Sequence, residues 1–330
     1  MGMPRVLTVG RISVDLYAEQ EVPIPQVRTF RKSIGGTATN VAIAASRLGH
    51  SSAVVTRVGD DPFGDYLEAE LTAFGVDTTG VLRHEGLRTP LAFAELDPPE
   101  DPRIIFYREP RAPDEFIAPE QLAAELVEGV ELMWVPGSRF AFEPSRTTVM
   151  EALARRGAQG HTVLDLDYRP QFWSSPEQAG AAIRPALALA TVAVGNREEC
   201  LVTVGTADPE AAAEALIGSG VALAVVKMGG DGVLAVSASG ERCVVPPTPV
   251  PVVCGLGAGD AFGGALVHGL LGDWPLEATM RFANAAGALV ASRLMCADAM
   301  PTIAEIELLI NEGELAPEPP PVVPAPDQRG

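Results

Sequence analysis

Positive charge is what this sequence has least of. Its 330 residues carry 24 Lys and Arg against 43 Asp and Glu, a formal net charge of −19. Nucleic-acid binding rests on basic side chains that neutralise phosphates, so no nucleic-acid partner is expected. An anionic membrane surface is disfavoured for the same reason. A small acidic substrate is not, because a local cluster of arginines reverses the field inside one cleft. Cysteine is scarce too. Cys200, Cys243, Cys254 and Cys296 form no CxxC pair, so a zinc site is not expected. Their wide spacing suits reduced, inert core thiols in a cytoplasmic protein. No apolar run approaches bilayer length, and the opening MGMPRVLTVG lacks a basic segment followed by a long apolar stretch. Neither a membrane span nor a secretory leader is therefore expected. Internal repeats of solenoid length are missing. So are a GxxxxGK[ST] loop and a G-x-G-x-x-G turn after the first strand, which removes two common nucleotide-binding schemes.

What the chain does have is Ala, Val, Leu and Gly. Apolar residues make up 47% and charged residues 20%, a globular balance in a chain long enough for one large α/β domain or two ordinary ones. Short apolar runs cover Val6–Gly10, Ala53–Gly59, Leu132–Gly137, Thr162–Asp167, Thr191–Asn196 and Ala222–Gly229. Continuous apolarity over so few residues marks strands covered on both faces. Helical patterns lie between them, at Thr37–Leu48, Phe63–Phe74 and Ala258–Leu271. The alternation predicts a mainly parallel, doubly wound sheet with helices on both faces. Two segments break the rhythm, about residues 11–34 and 88–110. The second holds two extended runs, Leu91–Leu96 and Arg103–Tyr107, about a proline-rich turn. Together they predict a small β lid. The expected organisation is one domain over residues 1–312, followed by a Pro-rich acidic tail, 313–330, expected to be disordered.

Ligands of open parallel sheets bind at the carboxyl ends of the strands. The polar and glycine-rich residues gather at those ends: Asp15, Asp167 with Tyr168 and Arg169, Asn196, and Gly229, Gly230 and Gly232. The sharpest local signal is Gly255-Leu-Gly-Ala-Gly-Asp260, running into an apolar helix. Glycines permit close approach by a ligand. A helix start presents unpaired N–H groups and the positive end of the helix dipole, a corner suited to phosphate. A carboxylate there stays ionised and can lie beside a hydroxyl. Taken alone, the motif is equally a tight turn with Asp260 as a dipole partner. The second signal is Ile34-Gly35-Gly36-Thr-Ala-Thr-Asn40, whose glycines suit a hinge and whose Asn40 can donate and accept toward hydroxyls. Taken alone it is an ordinary loop and helix start.

Together, Gly35–Gly49 and Gly255–Leu271 resemble the two signatures of the ribokinase-like carbohydrate kinases, the PfkB family, in order, separation and strand context over roughly residues 5–310. The resemblance implies a ribokinase-like α/β fold with a β lid, ATP and Mg²⁺ as cofactors, and phosphorylation of a primary alcohol. It implies Asp260 as the catalytic base and Gly257, Ala258 and Gly259 as the anion hole. Asp15, Gly35, Gly36 and Asn40 resemble sugar-binding positions. Asn196 and Glu199 resemble an N-x-x-E motif that organises Mg²⁺ through its waters, an i, i+3 spacing that shares one helix face. Lys227, Gly229, Gly232 and Asn284 resemble the nucleotide side. A homodimer through the lid is a further implication. Many members carry Asp-Thr ahead of Gly-Ala-Gly-Asp. Cys254 and Gly255 stand there here, a departure from the place where a monovalent-cation site is often built.

The run Asp165-Leu-Asp-Tyr-Arg-Pro-Gln-Phe-Trp173 resembles the branch of the family acting on keto-deoxy sugar acids, so 5-dehydro-2-deoxygluconate is the expected substrate. A sugar acid needs a carboxylate receptor, and Arg offers a planar fork for it. Arg169 is the first candidate, Arg108 the second and Arg31 the third; Arg31 reads better as a solvated surface residue. His268, within the Ala258 helix, reads as packing. Two other classes of substrate stay open, 2-keto-3-deoxygluconate and a neutral sugar or nucleoside. So does a catalytically inactive member serving as a ligand-binding protein.

Overall fold

The six expected strands lie side by side and parallel. The structure, a computed structural model, describes residues 2–99 and 102–315. The strands are β1 (Val6–Val9), β2 (Ser13–Ala18), β3 (Phe30–Gly35), β4 (Ser52–Gly59), β5 (Val81–His84), β6 (Leu91–Glu95), β7 (Arg103–Tyr107), β8 (Leu132–Pro136), β9 (His161–Asp165), β10 (Val192–Asn196), β11 (Leu223–Lys227), β12 (Val233–Ser237) and β13 (Arg242–Val245). The helices are α1 (Thr37–Arg47), α2 (Pro62–Ala73), α3 (Ala124–Gly129), α4 (Ser145–Arg156), α5 (Pro176–Leu187), α6 (Arg197–Val204), α7 (Pro209–Gly218), α8 (Ala258–Leu271), α9 (Leu276–Ala291) and α10 (Ile303–Glu312).

Nine strands form the main sheet in the order β13-β12-β11-β10-β9-β8-β1-β4-β5. Only β12 runs against the rest, since β13 pairs antiparallel with it and so returns to the common direction. Because successive strand residues point to opposite faces, each strand feeds two cores. Val6 of β1 and Val192 and Val194 of β10 join one, beneath α1, α8 and α9. Leu7, Val9 and Ala193 join the other, beneath α4, α5 and α7. From β1 the chain moves outward to β4 and β5, then returns to lay β8 on the other side of β1. The strand order therefore reverses between β1 and β8, where a ligand crevice is expected.

Two glycines bring α1 and α8 close. A side chain at Gly264 would meet the methyl of Ala44, and one at Gly263 would come 2.7 Å from the Trp134 ring. The second sheet has four strands, ordered β3-β2-β6-β7, and comes from both segments read as lid. Residues 100 and 101 of its β6–β7 turn and residues 316–330 of the expected tail lie outside the described residues. The edge strands β5 and β13, and β12 beside the latter, do not stand out in the sequence. Each has four or five residues, and two of them are half-exposed or more along much of their length.

Candidate active site

A cavity of about 330 Å³ opens beneath the lid, at the carboxyl ends of β1, β9, β10 and β11. Of the residues singled out from sequence, Asp15, Gly36, Asn40, Arg169, Asn196, Glu199, Lys227, Gly257, Gly259 and Asp260 all line it. Gly35 and Ala258 sit in the same backbone segments without lining it. Gly257 precedes α8 with φ +80°, and a side chain there would come within 2.5 Å of the Cys296 sulfur. Only glycine meets both demands. The first-turn amides of α8 have no acceptor within the helix, so they are free toward an anion.

Asp260 lies in that first turn, half-buried, and Asn40 of α1 donates from Nδ2 to its Oδ2 at 2.7 Å. The close α1–α8 contact makes this bond possible. Burial pushes the Asp260 carboxyl up to about 6, against the Asn40 hydrogen bond and the charges of Arg169 and Lys227. It is ionised at neutral pH, yet near enough to neutrality to take up a proton. Asn40 itself is buried, and its Oδ1 has no partner among the described residues. An orphaned buried acceptor is costly, and a donor arriving with a ligand would relieve it. Asp15 faces the same space. Ser13 Oγ donates to its Oδ1 at 2.6 Å, and burial raises its carboxyl to about 6. Glycine at 35 leaves room for that carboxylate, and Gly36, at φ +107°, passes beneath the Arg11 carbonyl.

On the other flank, Asn196 and Glu199 cap α6 reciprocally. Asn196 Oδ1 accepts from the Glu199 amide at 2.9 Å, and Glu199 Oε2 accepts from the Asn196 amide at 2.6 Å. Asp165, at the end of β9, is buried beside them. Burial holds it well above the usual carboxylate range, and Glu199 adds to the rise that Lys227 opposes. Lys227 Nζ stands 3.4 Å from where a Cβ on Gly259 would be, over the α8 corner. Gly229 and Gly232 form the turn after β11, both at positive φ, and do not line this cavity. Asn284 of α9 lies apart as well. Its Nδ2 donates to the carbonyl of Pro246 at 2.9 Å, fixing one wall of a second cavity of about 300 Å³.

The lid-side flank is basic. Arg169 Nε donates to Asp167 Oδ1 at 2.8 Å, while burial, which would raise Asp167, is outweighed by Arg169 and Arg11. Arg108 does not reach the cavity. Both its Nη atoms bind fully buried Asp114, at 2.5 and 3.2 Å, and it lines a wider neighbouring cleft of about 910 Å³. A buried carboxylate needs a counter-charge, and Asp114 has taken this one. Arg31 is exposed and lies 3.5 Å from Glu19. His268 packs against Trp274 and Phe282, as its pattern suggests. Sequence reasoning missed Arg11, which lines the cavity, and gave Asp165 no role. Their signals were available. Arg11 follows the first strand at the reversal of strand order, and Asp165, Asp167 and Arg169 alternate along the end of β9.

The sequence profile of the pfkB family carbohydrate kinases matches residues 3–303. The chain belongs to that family. Among its relatives, the 5-dehydro-2-deoxygluconokinase of Geobacillus kaustophilus is 34% identical, covering 93% of each protein. Solved structures are similar over most of the chain. An E. coli protein solved with ATP and Mg²⁺ superposes with a TM-score of 0.84 at 26% identity, covering 93% of this chain and 99% of that one. A Vibrio cholerae fructokinase variant with fructose, ADP and potassium gives 0.81 at 30% identity over 92% and 97%. The ribokinase-like fold and the carbohydrate-kinase class are thereby fixed. No described helix is long and apolar enough to cross a membrane.

Proposed function

We propose that the chain transfers the γ-phosphoryl group of ATP to the primary hydroxyl of 5-dehydro-2-deoxygluconate, giving the 6-phosphate, in the cytoplasmic breakdown of myo-inositol. One observation carries the reading. Asp260, raised to about 6, shares a cavity with the free amides of α8 at one flank and with arginine at the other. Relatives named for this activity support the choice of substrate.

Phosphoryl transfer asks mostly for positioning and charge stabilisation. Asp260 accepts the proton of the attacking hydroxyl. The amides at Gly257, Ala258 and Gly259, with Lys227, counter charge on the transferring group. Asn40 and Asp15 hold the sugar, Asn40 through its orphaned Oδ1. Arg169 receives the acid group. Asn284, Gly229 and Gly232 shape the nucleotide side, with Asn284 acting through the loop it holds. The lid excludes water, which would otherwise hydrolyse ATP.

The residues present fit a magnesium ion. Asp165 and Glu199 are neighbouring acids; burial first, and the charge of Glu199 after it, favours a proton on Asp165, and a divalent cation there would relieve both. Mg²⁺ keeps several waters and binds substrate phosphates, so one or two acids are enough to hold it. When bound, it would neutralise charge on the nucleotide phosphates. A monovalent cation does not fit. Cys254 is fully buried in an apolar cluster with Met295, Leu294 and Leu256, and the Ala291 carbonyl nearby already accepts from Val253 and Cys254.

Alternate residues of the lid line the cavity, namely Ser13, Asp15, Ala92, Ile104 and Phe106. The opposite face carries an aromatic ladder, Phe30–Phe93–Tyr107, with centroids 5.3 and 5.2 Å apart and Tyr107 exposed. That face is our choice for a homodimer contact, and a monomer in sedimentation at micromolar concentration would refute it.

The test of function is a panel of acidic and neutral sugars with ADP release as readout, with and without Mg²⁺. Turnover of the acid above 2-keto-3-deoxygluconate, fructose and ribose is expected. Turnover of neutral sugars alone would overturn the sugar-acid reading. ATP binding without ADP release on any sugar would favour an inactive binding protein.

A further inference from the structure

Arg11 is a buried cation that the mechanism above leaves unused. It follows β1 where the strand order reverses, lines the cavity and is only 5% exposed. Nε lies 3.3 Å from Ser138 Oγ, in the turn after β8. Nη2 lies 3.3 Å from Thr37 Oγ1 and 3.5 Å from Asp167 Oδ2. A guanidinium has five N–H donors, and Nη1 has no partner among the described residues. The guanidinium carbon stands 5.1 Å from the ring centre of Phe172 and 5.6 Å from that of Phe106, a lid residue. Arg11 is thus fixed on three sides and open on the side of the cavity.

Its counter-charge is incomplete. Asp167 also binds Arg169 Nε at 2.8 Å and accepts from Ser138 Oγ. One carboxylate therefore serves two guanidiniums. Further out, Arg108 and Arg139 share Asp114, and Arg111 pairs with Glu115 at 2.8 Å. Five arginines on this flank meet three acids, in a chain whose overall charge is −19. Burial and the charges of Arg169 and Arg108 all weigh against the Arg11 cation, which an arriving anion would compensate. The Nη atoms of Arg169 likewise have no partner among the described residues.

We propose that Arg11 is the residue that selects acids: its Nη1 and the Nη atoms of Arg169, both aligned by Asp167, grip the substrate carboxylate from two sides. The inference rests on the sugar-acid reading and deepens it. It also explains the aromatic stacking, since Phe106 ties the closed lid to the guanidinium that reads the acid.

The test uses the full-length enzyme, the acid substrate and its neutral primary amide, with ADP release as readout. Arg11→Met should raise KM for the acid about 100-fold, lower kcat by less, and leave the amide within about threefold, so that the preference for acid collapses. Arg11→Lys keeps the charge against Asp167 but loses the fork. It should raise KM for the acid about tenfold and leave the amide unchanged, and it decides the matter if Arg11→Met fails to fold. Arg31→Met, an exposed lid control, should behave as wild type. Undiminished preference for acid in a folded Arg11 variant would overturn the proposal. A wild-type enzyme that turns over only neutral sugars would instead defeat the sugar-acid reading, before any variant is made.

Discussion

The two flanks of the cavity make the same kind of provision, a place for negative charge, by different means. At the α8 corner the provision is backbone. Glycines at 257 and 259 let amides approach, and one carboxylate stands among them. At the lid side it is side chain. Arginines from the ends of β1, β7, β8 and β9 converge and share too few acids. The backbone corner leaves the charge of an arriving group unspecified beyond its sign. The arginine flank has planar forks, which fit a carboxylate and discriminate against a neutral group. Chemistry and selectivity are therefore separable in this molecule, and variants should divide accordingly.

The largest effect is expected at Asp260. Asp260→Asn should lower turnover about 10³-fold while calorimetry shows ATP and sugar still binding. Turnover near wild type would remove Asp260 as the base. The same variant should stabilise the fold. The Asp260 carboxyl rises from an ordinary 3.8 to about 6 in the folded chain. Its ionisation therefore costs stability above pH 6 and costs nothing below pH 4. Melting at pH 8 should show a gain of about 1–3 kcal/mol that vanishes near pH 4. Next comes Gly257→Ala, whose methyl meets Cys296 and whose φ becomes strained. It should cost about 10²-fold in kcat, the scale of losing one oxyanion donor, with KM for the acid nearly unchanged. Arg169→Met should reverse that pattern, raising KM for the acid about 30-fold with a smaller loss in kcat. If both variants changed kcat and KM alike, the separation would fail. A smaller effect is the acid limb of kcat/KM, expected near pH 6 as Asp260 takes up its proton. A flat profile from pH 7 to pH 5 would contradict it. The smallest is Tyr107→Ser, expected to weaken self-association while activity stays within about twofold.

The same division governs what could be read before folding. The α8 corner is contiguous in sequence, and glycine spacing is a rigid code, so Gly257, Gly259 and Asp260, which line one cavity, stood out together as a motif. The six central strands were equally plain, because burial on both faces leaves an unbroken apolar run. The arginine flank was only half legible. Arg169 sits in a conspicuous strand-end motif. Arg11 looked like any residue after a first strand until β8 proved to be its neighbour. Arg108 looked like a receptor until Asp114, too polar to be foreseen as fully buried, claimed it. Side-chain pairing between distant elements depends on strand order, which local patterns do not encode.

The near-contact of α1 and α8 has a consequence for anyone hardening this enzyme against heat. Replacing helical glycines with alanine is a standard thermostabilising step, worth up to about 1 kcal/mol per site. It is open at Gly218, where an added methyl meets nothing. At Gly264 the methyl would wedge the two helices apart and draw Asn40 away from Asp260. A library chosen for melting temperature alone would leave that position untouched, and so would one chosen for turnover.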